Sequence, residues 1–316
     1  MTNPTTQHTW TGRDDGPGPE HRRWHHAVNT AQAGTPGVAL LGFRSDEGVR
    51  RNKGRVGAVD GPASIRSALA PMAAPADLLV HDLGDTSVVD GNLEDGQERL
   101  GAAVRQALDA GHLPVILGGG HETAFGTYTG LRGSQATDGR RIGIINLDAH
   151  FDLRAEAIPS SGTPFRQVAE AESALGHGFN YTVVGISQPG NTEALFRTAQ
   201  ELGVKYLLDE ECTESRAEQV RQFVQDFIDS VDVLYLTIDL DVLPAYVAPG
   251  VSAPASYGVP LPVVLDVCRQ LARSPKLAVV DVVELNPRFD IDARTARTAA
   301  RLIHTIATER SGHRHA

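Results

Sequence analysis

Six side chains have the types and spacing to hold metal ions: the imidazoles of His121 and His150, and the carboxylates of Asp148, Asp152, Asp239 and Asp241. Asp148, His150 and Asp152 are spaced by two, as are Asp239 and Asp241. In extended backbone, alternate residues point the same way, so each set can face one cavity. Four carboxylates in one low-dielectric pocket repel, and without cations their pKa values must rise or the fold must loosen. Two divalent ions remove the conflict, because four negative charges then meet four positive ones and a carboxylate can bridge the pair. Oxygen-rich ligands with some imidazole and no thiolate suit Mn²⁺ better than a structural zinc centre. Metals bridged in this way lie about 3.5–4 Å apart and make hydroxide from water near neutral pH.

Taken singly, the pieces have ordinary explanations. An Asp-x-Asp pair is commonly a solvated turn or a helix cap. The triplet Gly118, Gly119 and Gly120 before His121 reads as a tight turn, and it has neither the Walker spacing nor the dinucleotide fingerprint. What the ordinary explanations do not supply is a reason for four such pieces to follow four apolar runs in order.

Those runs set the expected fold. Stretches 38–43, 77–81, 113–117, 141–147, 181–186, 204–208, 233–238 and 277–283 read as strands. Several are apolar at consecutive positions, as strands covered on both faces are. Stretches 62–69, 97–110, 192–202, 215–228, 261–272 and 293–307 have helical spacing; Val264, Leu265, Cys268 and Leu271 make one stripe. The alternation predicts an α/β protein with right-handed crossovers and helices on both sides of a parallel sheet. Ligands in such sheets gather beyond the carboxyl ends of the strands. His121 and Glu122, then Asp148 to Asp152, then Asp239 to Asp241, then Glu284 occupy those positions.

Residues 1–36 read as a polar N-terminal arm, loose or docked through Trp10 and Trp24; residues 37–310 as a single domain; residues 311–316 as a solvated tail holding His313 and His315. The charge of −10, from 29 basic and 39 acidic residues, argues against nucleic acid as a partner. No run approaches the ~18 apolar residues of a membrane span, and the first residues lack a secretory apolar core. Cys212 and Cys268 are too few for a disulfide framework. A cytoplasmic setting is the expectation.

In chain order, GGGHE, NLDAHFDLR, TIDLDVLPAYVAPGVSAP and VELNP resemble the four signatures of the ureohydrolase superfamily, which includes arginases and agmatinases. The resemblance spans about residues 37 to 310. It implies a three-layer α/β/α fold with an eight-stranded parallel sheet, two Mn²⁺ ions and a homo-oligomer. By motif match, one metal takes His121, Asp148, Asp152 and Asp239; the second takes Asp148, His150, Asp239 and Asp241, so that Asp148 and Asp239 bridge. Glu284 matches the acid that holds the amidine or guanidine end of the substrate, and Asp152 and Glu284 are the expected catalytic pair.

The departures from the signatures narrow the substrate. Gly120 and Glu122 stand where the first motif carries Asp and Ser, and Leu243 replaces an Asp of the third. Ser161, in SSGTPF, replaces the His to which a proton-shuttle role is assigned in arginase- and agmatinase-like enzymes. With the segment from Ser45 to Asn52, these variants resemble the branch of the superfamily that hydrolyses N-formimidoyl-L-glutamate to glutamate and formamide in histidine breakdown. That substrate has an amidine at one end and two carboxylates at the other, and an anionic protein needs local cations to hold it. Arg50, Arg51, Lys53 and Arg55 follow the first strand, and Arg154 and Arg166 flank the second motif. The arginine fork suits carboxylate. The expected substrate-binding set is Arg51, Asn52, Arg154, Ser161, Arg166 and Glu284, although a basic loop that merely anchors Asp46 or Glu47 fits the same residues. The alternatives are a guanidine hydrolase releasing urea and an inactive metal-stabilised binding protein.

Overall fold

The computed structural model describes residues 8–30 and 35–312. Nine strands form one wholly parallel sheet: β1 (Val28–Asn29), β2 (Val38–Arg44), β3 (Val80–Ser87), β4 (Leu113–Leu117), β5 (Ile142–Leu147), β6 (Asn180–Ile186), β7 (Lys205–Leu208), β8 (Val233–Asp239) and β9 (Leu277–Val283). Ten helices accompany them among the described residues: α1 (Trp24–Ala27), α2 (Glu47–Arg51), α3 (Gly61–Leu69), α4 (Leu93–Asp109), α5 (Thr123–Arg132), α6 (Pro164–Ala174), α7 (Glu193–Glu201), α8 (Ala217–Ser230), α9 (Leu261–Arg273) and α10 (Arg294–Gly312). One core packs α3, α8, α9 and α10 against one face of the sheet; the other packs α4 to α7 against the opposite face. This is the expected three-layer α/β/α arrangement. None of the described helices is long and apolar enough to cross a membrane.

The sheet order is β1-β3-β2-β4-β9-β8-β5-β6-β7. The four strands that precede the chemical motifs, β4, β9, β8 and β5, are therefore consecutive in space although dispersed in sequence. Their carboxyl ends open onto one place. The strands are apolar at nearly every position and buried throughout, as the two-sided cover requires.

The ninth strand comes from the arm. Val28 pairs with Val80, and Trp24 is fully buried, with its Nε1 donating to His304 Nδ1 on α10 at 3.0 Å. Trp10 Nε1 donates to Asp82 Oδ2 at 2.8 Å. The described part of the arm is thus docked on the body through both tryptophans. His313 and His315 lie outside the described residues.

Strand β3 runs to Ser87, well past the expected end at 81, through Asp82, Gly84 and Asp85, which read as turn residues. The buried Arg66 explains the difference. Its guanidinium pairs with Asp82 at 2.9 Å and Asp85 at 2.5 Å, so the two acids enter the sheet neutralised. Removing one partner would leave an uncompensated buried charge, at a cost of about 3–5 kcal/mol. Helices α1, α2, α5 and α6 lie where no helix was expected. In α5, Gly126 and Gly130 lower helix propensity, yet they let α4 approach: a Cβ at Gly130 would lie 2.5 Å from the Gly101 carbonyl oxygen.

Candidate metal centre

Each strand end delivers its residues directly. His121 follows the turn after β4, where a Cβ at Gly119 would meet the Ser45 carbonyl oxygen at 1.7 Å, so only glycine fits. Asp148 is the first residue beyond β5, Asp239 the last of β8, and Glu284 the first beyond β9. Asp152 and Glu284 hold left-handed backbone, with φ of 50° and 69°. For residues other than glycine this costs of order 1–3 kcal/mol and concentrates at functional sites.

The six expected ligands converge. His121 Nδ1 lies 3.2 Å from Asp148 Oδ2, 3.0 Å from Asp152 Oδ2 and 3.1 Å from Asp239 Oδ2. His150 Nδ1 lies 3.1 Å from Asp241 Oδ2 and 3.5 Å from Asp148 Oδ1. Two groups of ligand atoms result, one with His121, Asp148 and Asp239, the other with Asp148, His150 and Asp241. Asp148 belongs to both and turns a different oxygen to each imidazole. Asp239 Oδ1 accepts from the Asp241 amide at 2.8 Å, which holds the two acids in register.

The crowded carboxylates call for positive charge, from protons or from metal ions. Burial pushes Asp239 well up from the carboxylate range, and Asp241 and Asp148 push it further. Burial also raises Asp152, with Asp148 adding to it, and raises Asp241. Burial acts on Asp148 in the same sense, but the His121 and His150 imidazoles beside it outweigh burial and hold that carboxyl low. Burial lowers both imidazoles, yet the surrounding carboxylates win and carry them well above the usual histidine value. Without metal, protons on these rings do the neutralising. The donor set fits a metal directly, because His121 Nδ1 is buried with no hydrogen-bond partner while three carboxylate oxygens face it. Oxygen and imidazole donors without thiolate belong to Mn²⁺-type ions.

A cavity of about 230 Å³ opens over the centre, lined by Asn52, His121, His150, Asp152, Arg154, Ser161, Asp239, Asp241 and Glu284 among others. A larger cavity of about 650 Å³ between α3 and α10 holds none of these groups. Glu284 Oε1 accepts from the His121 amide at 2.8 Å, and its Oε2 is buried without a partner. Burial, then the neighbouring Glu122, pushes the Glu284 carboxyl up to about 8. Glu122 itself accepts from Ser45 Oγ and the Gly48 amide. A Cβ at Gly120 would lie 2.1 Å from Glu122 Oε2. The two departures in the first motif are therefore one change, with the carboxyl at 122 filling the space that a side chain at 120 would need.

The basic residues divide. Arg154 reaches the cavity wall, is exposed, and makes no ion pair among the described residues. Arg51 and Arg166 do not line the cavity. Arg51 pairs with Glu47 at 2.9 Å and Glu94 at 2.7 Å and donates to the Pro159 carbonyl at 3.1 Å. Arg166 pairs with Glu170 one turn along α6. Arg50 also pairs with Glu47, and Arg55 donates to the carbonyls of Val251 and Ser252. Arg51 and Arg166, expected to hold substrate, thus lie outside the cavity lining with their charges turned to neighbouring acids. Asn191, unanticipated, also lines the cavity; it accepts from the Phe151 amide and donates to the Ala149 carbonyl, pinning the second motif. Only turn residues surround it in the sequence, so no signal marked it.

The family model for the Arginase family matches residues 36–308, and the chain belongs to that family. Among its curated relatives, the formimidoylglutamase of Rhodococcus opacus (strain B4) is 60% identical over 304 residues, 95% of each chain. The formimidoylglutamase of Chromobacterium violaceum is 49% identical over 94% of this chain and 96% of its own. Of the solved structures, formimidoylglutamase from Bacillus subtilis superposes with a TM-score of 0.82 at 23% identity, covering 92% of both chains, a likeness of fold. Formiminoglutamase from Trypanosoma cruzi with Mn²⁺ superposes with a TM-score of 0.77 at 25% identity, covering 87% of this chain and 94% of the other.

Proposed function

We propose that this protein hydrolyses N-formimidoyl-L-glutamate to L-glutamate and formamide, using two Mn²⁺ ions per chain. The observation that carries the reading is Asp148, whose two oxygens face two separate imidazole-carboxylate groups under one cavity. Curated relatives at 49 to 60% identity over most of the chain bear the name of that activity.

On this reading His121, Asp148, Asp152 and Asp239 hold one ion and Asp148, His150, Asp239 and Asp241 the other. Bound there, the ions supply an activated water near neutral pH and neutralise the acids. Asp152, on the cavity wall, would orient the attacking water and take up its proton. Glu284 Oε2, buried and unpartnered, receives the amidinium N–H and fixes the formimidoyl carbon in a reactive pose. Water adds to that carbon, the bond to the glutamate nitrogen breaks, and the nitrogen leaves with a proton handed on by Asp152.

Among the described residues Arg154 is the only arginine or lysine on the cavity wall, so we assign it the substrate carboxylates, with Asn52 and Ser161 beside it. A cationic wall repels the terminal ammonium of agmatine. We further propose a cytoplasmic homo-oligomer. Cys212 and Cys268 are buried free thiols, which a reducing compartment preserves, and the exposed Tyr246, Phe289 and Ile291 supply contact surface.

The test is product analysis on Mn²⁺-loaded protein given N-formimidoyl-L-glutamate, agmatine and arginine in parallel. Formamide from the first, with no urea from the others, is expected. Urea release as the main activity would transfer the site to the guanidine hydrolases.

A further inference from the structure

The metal-facing ring of His121 has a second nitrogen, and the groups behind it belong to no ligand set. Nε2 lies 3.0 Å from Thr237 Oγ1, both buried in the sheet. When a metal ion takes the Nδ1 lone pair that faces Asp148, Asp152 and Asp239, the ring carries its proton on Nε2 and donates it to Thr237. The hydroxyl of Thr237 must then send its own proton elsewhere.

Thr237 pairs in register with Asp281 on the neighbouring strand. Asp281 is fully buried, and its Oδ2 takes the hydroxyl proton of Tyr235. Its Oδ1 is buried without a hydrogen-bond partner, and strand register puts Thr237 beside Asp281. Burial raises the Asp281 carboxyl, and the His121 imidazole with the nearby Thr237, Tyr235 and Thr127 hydroxyls acts in the opposite sense. A sheet interior of this kind favours valine, which has the same shape as threonine, and a buried carboxylate is costly unless it is used. The hydroxyl and the carboxylate thus serve an orientation that apolar packing cannot provide.

We propose that Thr237 and Asp281 are positioning residues: Asp281 orients the Thr237 hydroxyl, which fixes the tautomer and angle of His121 and so sets the affinity of the ion that His121 holds. The inference rests on the two-metal reading above. Partners of this kind behind a ligating histidine contribute about 10–100-fold in metal affinity.

Calorimetric Mn²⁺ titration of the metal-stripped full-length chain separates the two claims. Two ions per wild-type chain uphold the parent reading, and fewer overturn it whatever the variants do. Thr237→Val is expected to weaken one of the two binding events about 10–100-fold, to leave the other unchanged, and to be rescued by Thr237→Ser. Unchanged affinity for both ions, equal weakening of both, or failure of Thr237→Ser to restore the first would overturn the positioning role. Should Thr237→Val not fold, Asp281→Asn carries the same expectation of a loss confined to one ion, with the same contrary results.

Discussion

Asn52 Nδ2 donates to Ser161 Oγ across 3.1 Å, joining two segments 109 residues apart at the mouth of the cavity. Ser161 fills the position at which the resemblance to arginases and agmatinases implies a histidine. Here it is part of a clasp. The other half is anchored below by Glu122, which holds Ser45 and Gly48, and beside it by Arg51, which reaches the Pro159 carbonyl.

If the clasp positions both residues for one substrate, they act together. Asn52→Ala and Ser161→Ala are each expected to lower kcat/KM several-fold, and the double variant to lose less than the product of the two. A coupling energy of about 1 kcal/mol in the cycle is the expected result; additive losses would show that the contact is incidental.

Arg154 and Arg51 are expected to behave differently. Arg154→Ala should raise KM for the dicarboxylate about 10–100-fold, the worth of a hydrogen bond to a charged group, and leave KM for a simple formamidine unchanged. Arg51→Ala should cost about 1–3 kcal/mol of stability by removing one of the two arginines on Glu47 and the donor to the Pro159 carbonyl, and change both KM values alike. Steady-state kinetics on the two substrates, with thermal melts, check both.

Glu284→Gln keeps the shape but removes the charge that receives the amidinium. Turnover is expected to fall about 10²-fold with both metals retained. Metal analysis beside the kinetics checks this, since loss of metal would mean that Glu284 supports the centre instead.

Metal-free protein is expected to lose stability as pH rises from about 5 to 8. Burial, then Glu122, holds Glu284 at about 8, above the ~4.3 of an unfolded glutamate. His121 and His150 are raised as well, their carboxylate neighbours outweighing burial. The folded state therefore binds more protons than the unfolded state in this window, and stability falls with rising pH. Asp148, held low, loses its contribution only below the ordinary carboxylate range, outside the window. Mn²⁺ replaces those protons, so the rise in Tm on adding it should be larger at pH 8 than at pH 6. Melts of stripped and loaded protein across the range check the sign.

The convergence of the six side chains was legible in the sequence because strand ends convert spacing directly into position: Asp148, His150 and Asp152 needed only the end of β5 to be located. The layers and the parallel sheet were legible from runs such as 233–238. What escaped depended on long-range pairing. The path of β3 through Asp82 and Asp85 depends on Arg66, and the absence of Arg51 from the cavity depends on Glu94, neither of which is marked by local pattern. Glu122 read as a departure from a motif until the space at Gly120 showed the two positions to be one exchange.

The account stands on two ions sharing Asp148, and electron paramagnetic resonance of the Mn²⁺-loaded protein reads this most directly. The account predicts two ions per chain with the spectrum of an exchange-coupled pair, replaced by isolated or absent Mn²⁺ in Asp148→Ala. A wild-type spectrum of one uncoupled ion per chain, or a coupled pair that survives Asp148→Ala, would contradict it.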